Sequence, residues 1–376
     1  MSERVCRWGI LGAAFIAHKN WKAIRNASNC TLVAVASRDL TRAEQFVAEC
    51  QADAPFEQLP QAVDDYEQLL ARDDVDAVYV PLPTGPRKQW VIRAAESGKH
   101  VMCEKPVGKD AGDVQDILAA CRQNNVQFMD GVMFMHSRRL DQIRQVLNDG
   151  DSIGHIKRIT SQFSFLAPDE FLNDNIRVNS DLEPLGCLGD LGWYNLRFAL
   201  WVMEEQLPQA VCGRILSEHA GPGSPAPVPT DFSGELYYPD GISASFFCSF
   251  LTENQQWANV SGTKGYLHVD DFVLPWFGSE VSFEVSGATF NIRGCDFNME
   301  EHTRRLALPE YSNSAENSQE TNLFRNFADL ALSGQPDPRW GEISLKTQLV
   351  VDACLRSARD GGRQVELGGE LGSAVG

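Results

Sequence analysis

The chain contains no Cys-x-x-Cys pair. Its ten cysteines stand singly, at Cys6, Cys30, Cys50, Cys103, Cys121, Cys187, Cys212, Cys248, Cys295 and Cys354. That spacing disfavours a zinc ribbon and a thioredoxin-like redox pair, and no metal site is assigned. Free thiols in a reducing cytoplasm are expected, several of them as small core residues. No run of about 18 apolar residues occurs, so no helix is expected to span a membrane. The opening MSERVCRWGILGAAF holds one short apolar run and no cleavable-signal pattern. Positive charge is scarce: 33 Lys and Arg stand against 51 Asp and Glu, a net charge of −18. Such a surface repels phosphate backbones and anionic lipid, which disfavours nucleic-acid and membrane partners. No internal repeat or low-complexity tract is found.

What is present is length and an alternation. A chain of 376 residues that is 43 % hydrophobic can bury more than one core, and two domains are expected. Over the first 130 residues, apolar runs at 5–12, 31–36, 75–82, 100–103 and 126–131 alternate with helical patterns at 16–26, 41–50, 64–72, 86–97 and 111–123. This βαβ rhythm predicts a doubly wound parallel sheet with helices on both faces. From about residue 137 the rhythm changes. Helices are expected at 137–148 and 188–202. Strands are expected at 155–165, 209–217, 231–238, 242–250, 256–261, 265–270, 280–285 and 288–293, with a surface loop at 221–229. Two helices, 318–333 and 342–359, close the chain. The fold class is α/β plus α+β: an N-terminal Rossmann domain (1–131), then a domain on an open, mostly antiparallel sheet (132–341). A C-terminal helix and tail (342–376) are expected to pack back on the Rossmann domain.

WGILGAAFIAHKNW lies at the first strand-to-helix turn. Gly12 to Ala17 reads G-x-A-x-x-A against the dinucleotide fingerprint. Gly12 suits the tight turn, and Ala17 allows close helix–sheet packing. Ala14 stands where a second glycine usually lets backbone approach pyrophosphate. The helix start at Phe15 and Ile16 offers amide donors and a positive dipole end. A ligand-free strand-turn-helix looks the same, but opening the first βαβ unit turns the reading toward nucleotide binding. The second strand ends in Ser37, Arg38 and Asp39, with Arg42 one turn on. A guanidinium fork suits a 2′-phosphate, so NADP is favoured over NAD. The alternative is a solvated Arg38 beside an Asp39 that caps the next helix.

HVMCEKPVGKD, residues 100–110, ends at the carboxyl edge of a parallel strand, where doubly wound sheets bind ligands. Lys105 can present its ammonium to nicotinamide and substrate, and Glu104 can bind cofactor ribose or orient the lysine. Pro106 restricts Lys105 to an extended backbone, and a cis bond between them is sterically cheap. A surface ion pair beside an ordinary turn is the plainer reading. Further on, in GCLGDLGWYNLRFALW, Asp190 and Tyr194 are four apart and share a helix face. An N-cap and a core tyrosine would look alike.

GILGAAFIA, VASRD, VYVPLPT, AAESGKHVMCEKP, EPLGCLGDLGWYN and GEISLKTQLVVDACLRSARDG occur in the order seen in the Gfo/Idh/MocA oxidoreductases. The chain resembles that family over nearly its whole length, being similar to glucose-fructose oxidoreductase, inositol dehydrogenase and the dimeric dihydrodiol dehydrogenases. The resemblance implies a catalytic Lys105, with Asp190 and Tyr194 pointing at the same substrate. It places Leu82 and Thr84 beside the cofactor, and implies a homodimer or homotetramer. Where many relatives have Pro-Asn and then His, this chain has Pro83-Thr84-Gly85-Pro86-Arg87, so no Asn or His role carries over. Asn175 and Arg177 are candidates for substrate hydroxyls or a carboxylate, and Trp276 for a stacking wall. Met133 and His136 are weaker candidates. The expected function is hydride transfer between nicotinamide and a secondary or anomeric alcohol of a sugar, polyol or related diol. Alternatives are a glycoside hydrolase that uses NAD for transient redox-elimination, and a nucleotide-binding regulator without chemistry.

Overall fold

The computed structural model describes residues 4–367. It divides into two compact units. The first comprises Met1–Ser137, Asn179–Pro184 and Tyr311–Leu349; the second comprises Arg138–Val178, Leu185–Glu310 and the chain from Val350. In the first unit, strands β1 (Cys6–Leu11), β2 (Cys30–Ala36), β3 (Gln61–Val63), β4 (Ala77–Val80), β5 (His100–Cys103) and β6 (Phe128–Asp130) form one parallel sheet. The order is β3-β2-β1-β4-β5-β6, that of a dinucleotide-binding Rossmann sheet. Strands covered on both faces read as unbroken apolar runs, as AVYV of β4 does, all four residues being buried.

Five helices connect these strands: α1 (Phe15–Asn26), α2 (Leu40–Asp53), α3 (Tyr66–Leu70), α4 (Thr84–Glu96) and α5 (Ala111–Gln123). Asp39, Asp65 and Asp110 cap α2, α3 and α5, each carboxylate accepting a first-turn amide. The helices that follow β1 and β4 begin instead at Ala14 and Pro83, with no cap from their own side chains. These two strands flank the point where the sheet order reverses, the place where such sheets bind ligands.

The second unit is built on a nine-stranded sheet of order β14-β13-β12-β11-β7-β10-β9-β8-β15. Its strands are β7 (Ile156–Leu166), β8 (Ala210–His219), β9 (Val228–Tyr237), β10 (Ser243–Ser249), β11 (Leu251–Gly262), β12 (Tyr266–Val269), β13 (Glu280–Arg293), β14 (Asp296–Pro309) and β15 (Val365–Glu366). Every pair is antiparallel except β7 with β10. Its helices are α6 (Arg139–Asn148), α7 (Asp169–Asp174) and α8 (Trp193–Val202). All ten residues of α8 are buried, Asn195 and Arg197 among them.

Two expectations are corrected here. The strands expected at 280–285 and 288–293 are one strand, and a long partner, β14, was not foreseen. The two pair from Glu280↔Pro309 to Arg293↔Asp296, and beyond Gly287 both strands are exposed. An exposed ribbon gives no buried face for alternation to mark. The domain boundaries also differ. Helix α9 (Gln319–Ser333) belongs to the first unit, and the division falls inside α10 (Arg339–Arg359), so the tail from Val350 clusters with the second. Part of the tail expected to pack on the Rossmann domain, residues 368–376, lies outside the described residues.

Helix α9 enters the first unit's core through aromatic packing. Phe324 and Phe327 meet the Trp8 indole of β1 at centroid distances of 5.0 and 4.9 Å. Ser318 caps this helix, and Gly334, at φ 72°, ends it. Phe324→Ala should lower unfolding free energy by about 3–5 kcal/mol, through lost burial plus an unfilled cavity. Urea denaturation checks this, and a loss under about 1 kcal/mol would contradict the packing described.

Candidate functional site

Gly12 leaves β1 at φ +120°, a conformation side-chain-bearing residues rarely adopt. A Cβ there would also lie 2.9 Å from Leu82 Cδ2, so a side chain would press on Leu82 as well as strain the backbone. The Gly12 amide donates to the Ala36 carbonyl at 2.9 Å, tying the loop to β2. Ala14 is extended at the start of α1, and Phe15, 93 % exposed, follows it. Glycine cradle, uncapped helix start and exposed first turn together fit a dinucleotide pyrophosphate. Arg42 closes the loop's far side, its Nη2 donating to the Ala13 carbonyl at 2.9 Å.

At the end of β2, Ser37 is buried, its amide donating to the Val63 carbonyl at 3.0 Å, while Arg38 is exposed. The Asp39 carboxylate accepts from the Thr41 amide at 2.9 Å, as a helix cap. Burial pushes the Tyr66 phenol up from its ordinary pKa, and the charges of Arg38 and Arg42 pull against it. This tyrosine, whose hydroxyl is 3.7 Å from where a Gly12 Cβ would stand, carried no recognisable sequence signal. The strand-end pair Arg38 and Arg42 can hold a 2′-phosphate.

The Glu104-Lys105-Pro106 turn follows β5. Glu104 is not paired through sequence neighbours alone: Tyr79 on β4 donates to its Oε1 at 2.6 Å, and Asn20 on α1 donates to Tyr79 Oη at 2.5 Å. Gly131 leaves room for that carboxylate, since a Cβ there would approach Oε1 to 3.1 Å. Burial, then the Glu104 charge and hydrogen bond, raise the Tyr79 pKa well above the ordinary phenol range, keeping it a donor. Lys105 is half-buried and its peptide bond to Pro106 is cis.

Thr84 differs from what the sequence suggested. It has no exposed surface. Its amide and hydroxyl donate to the two Glu183 carboxylate oxygens at 3.1 and 2.5 Å. A side chain so enclosed offers a cofactor no contact; its role is to receive the remote cap that α4 lacks locally. The Gly85 amide adds a bond to the Leu182 carbonyl at 2.9 Å. Nothing in the sequence could announce a partner 99 residues away.

In the second unit, a π-helical turn over Leu188–Gly192 runs into α8 and carries Asp190. A Cβ on Gly192 would sit 2.9 Å from Leu188 Cδ1 and 3.1 Å from Cys248 Sγ, so a larger residue there would press on both side chains. Arg177 Nε donates to Asp190 Oδ2 at 2.7 Å, and the Arg177 amide donates to Asn175 Oδ1 at 3.0 Å. Three of the expected substrate residues thus meet, with Arg177 turned onto Asp190. Tyr194 is buried, its ring edge-on to Phe163 at 5.7 Å. Trp276 is 63 % exposed on the loop after β12, and its amide donates to Asp271 Oδ2 at 2.8 Å. That bond ties it to Asp271 and not to the Arg177 cluster. His136 stacks on Trp340 at 4.6 Å and pairs with Asn326, a structural setting. Among the described residues no group of three or more His, Cys, Asp or Glu is arranged to hold a metal.

Two family models match the chain. Residues 6–132 match the oxidoreductase family with an NAD-binding Rossmann fold, and residues 140–268 match the GFO/IDH/MocA C-terminal domain. D-xylose 1-dehydrogenase (NADP(+)) 2 of Haloferax volcanii is 32 % identical over 282 residues, covering 74 % of this chain and 81 % of that protein. Trans-1,2-dihydrobenzene-1,2-diol dehydrogenase of Mus musculus is 30 % identical over 273 residues, covering 72 % and 76 %. The structure of a variant of KijD10, a 3-ketoreductase from Actinomadura kijaniata in complex with TDP-benzene and NADP, superposes with a TM-score of 0.77. It shares 25 % identity and covers 94 % of this chain and 98 % of that one. The strand order at the Gly12 cradle, the glutamate–lysine–proline turn and these matches agree: the chain belongs to the Gfo/Idh/MocA family of oxidoreductases.

Proposed function

We propose that this protein is an NADP-dependent oxidoreductase acting on a CH–OH group of a sugar, polyol or related diol. The observation that carries the reading is the first unit's ligand edge. There a glycine cradle and an uncapped helix stand at the end of β1, and a lysine turn anchored by Tyr79–Glu104 stands at the end of β5. The names of relatives support the substrate class and the cofactor: a xylose dehydrogenase using NADP(+), a dihydrodiol dehydrogenase and a ketoreductase in complex with NADP.

Phosphates are held by the start of α1, and a 2′-phosphate by Arg38 with Arg42. Nicotinamide, when bound, supplies the two-electron exchange with the substrate carbon. The chain must then move the proton of the attached hydroxyl, a task we assign to Lys105 and Tyr194. Asp190, oriented by Arg177, accepts a hydrogen bond from a substrate hydroxyl, and Asn175 fixes the turn that aims Arg177. Leu82 forms the apolar wall against Gly12. Exposed Trp276 offers a sugar ring an aromatic face. The reading extends to a cytoplasmic homo-oligomer. Ten free cysteines suit a reducing compartment. Strand β10 alternates half-exposed with buried residues from Ser243 to Cys248, as a sheet with one open face does.

Absorbance at the reduced-nicotinamide band, with aldoses including D-xylose, polyols, trans-dihydrodiols and glycosides, tests the reaction class. A glycoside cleaved without net absorbance change would replace the dehydrogenase reading with redox-elimination hydrolysis. With a proven substrate, Lys105→Ala should lower kcat about 100-fold or more while NADPH still binds; unchanged turnover would remove Lys105 from the mechanism. For the cofactor, fluorescence titration should give tighter binding of NADPH than of NADH. Arg38→Ala should weaken NADPH about ten-fold or more and leave NADH within about two-fold. Equal or tighter binding of NADH by the unsubstituted protein would sink the NADP preference.

A further inference from the structure

Arg87, on the first turn of α4, is 2 % exposed. It forms no ion pair among the described residues, and its fork is committed mainly to main-chain oxygens. Nε donates to the Leu82 carbonyl at 2.9 Å, and Nη2 donates to the same oxygen. Nη1 donates to the Pro106 carbonyl and, at 3.3 Å, to the Thr84 hydroxyl. Through Thr84 the guanidinium is linked to the Glu183 carboxylate, which offsets a charge held away from water.

These acceptors are chosen tellingly. Leu82 is the residue whose side chain closes on Gly12. Pro106 directly follows Lys105 and, lacking an N–H, cannot be held by a sheet bond through its own nitrogen. Its neighbour Glu104 is fixed from the other side, by the amide bond to the Val80 carbonyl at 3.2 Å and by Tyr79. Lys105 therefore hangs between two anchors, and the one on its carboxyl side is Arg87. We propose that Arg87 is the positioning residue for Lys105, setting through the Pro106 carbonyl where the ammonium stands, and aligning the Leu82 wall with it. A planar fork serves both carbonyls at fixed angles. This deepens the function proposed above and rests on Lys105 being the group that matters there.

The test follows Lys105 itself. Lysines are reductively ¹³C-methylated, Lys105→Arg assigns the resonance, and NADP⁺ is the probe. Arg87→Met removes all four donations; Arg87→Gln keeps one amide donor and is the milder change. In both variants the Lys105 methyl resonance should leave its position in the unsubstituted protein, with a reduced response to NADP⁺. The resonances of Lys157 and Lys264, in the second unit, should stay in place. A Lys105 resonance and NADP⁺ response equal to those of the unsubstituted protein in either folded variant would overturn the proposal. So would failure of both variants to fold, which would make Arg87 a folding residue only. The two readings fail separately. Full turnover by Lys105→Ala would end the role of the ammonium, whereas an unmoved resonance would end only the role of Arg87.

Discussion

The first unit's chemistry depends on one constraint: β1 and β4 lie side by side and parallel, yet their neighbours in sequence lie on opposite sides. Trp8 pairs with Ala77 and Ile10 with Tyr79, so the two carboxyl ends emerge together. The chain must leave each end through a tight turn into a helix. At β1 that turn takes Gly12 to φ +120°, a conformation that residues with a Cβ rarely adopt. Helices α1 and α4 both start there without caps of their own, and the orphan amides of a helix start must find some acceptor. At α4 the acceptor is protein, the Glu183 carboxylate. At α1 the local cap position holds an alanine, and a phosphate is the acceptor that suits it.

The same edge is held by polar groups that would be costly to bury singly. Asn20, Tyr79 and Glu104 form one line of donors into one carboxylate. Glu183, Thr84, Arg87 and Pro106 form another. Each line satisfies its members only while all are present, so loss of one leaves another unpaired at about 1–3 kcal/mol. Buried polar networks of this kind specify a single geometry, and both lines end at the turn that carries Lys105. In the second unit the pairing of Arg177 with Asp190 is half-exposed. Its contribution to stability is therefore small, and its value lies in orienting the carboxylate.

Legibility in the sequence followed burial. Five of the six parallel strands, the helices between them and the Gly12 turn are readable because a strand covered on both faces leaves a solid apolar run; β3, three residues of which only Val63 is buried, leaves none. Strand β14 was not readable: FNMEEHTRRLALP lies exposed along most of its length, and exposure imposes no pattern. Helix α9 was readable as a helix. Its place in the first unit was not, because an amphipathic pattern says that a face is buried and not against what. The Trp8–Phe324 contact decides that.

The candidate site divides along the same line. By itself the sequence pointed to Gly12 and to Lys105, because each lies at a local landmark: a tight turn that takes a positive φ, and a strand end. Only the tertiary structure decided that Thr84 is enclosed by Glu183, that Tyr79 orients Glu104, and that Arg87 grips Pro106. Those partners are brought together by the register of neighbouring strands and by a segment returning from far along the chain. A hydrogen bond between distant residues leaves no periodicity in either stretch that makes it.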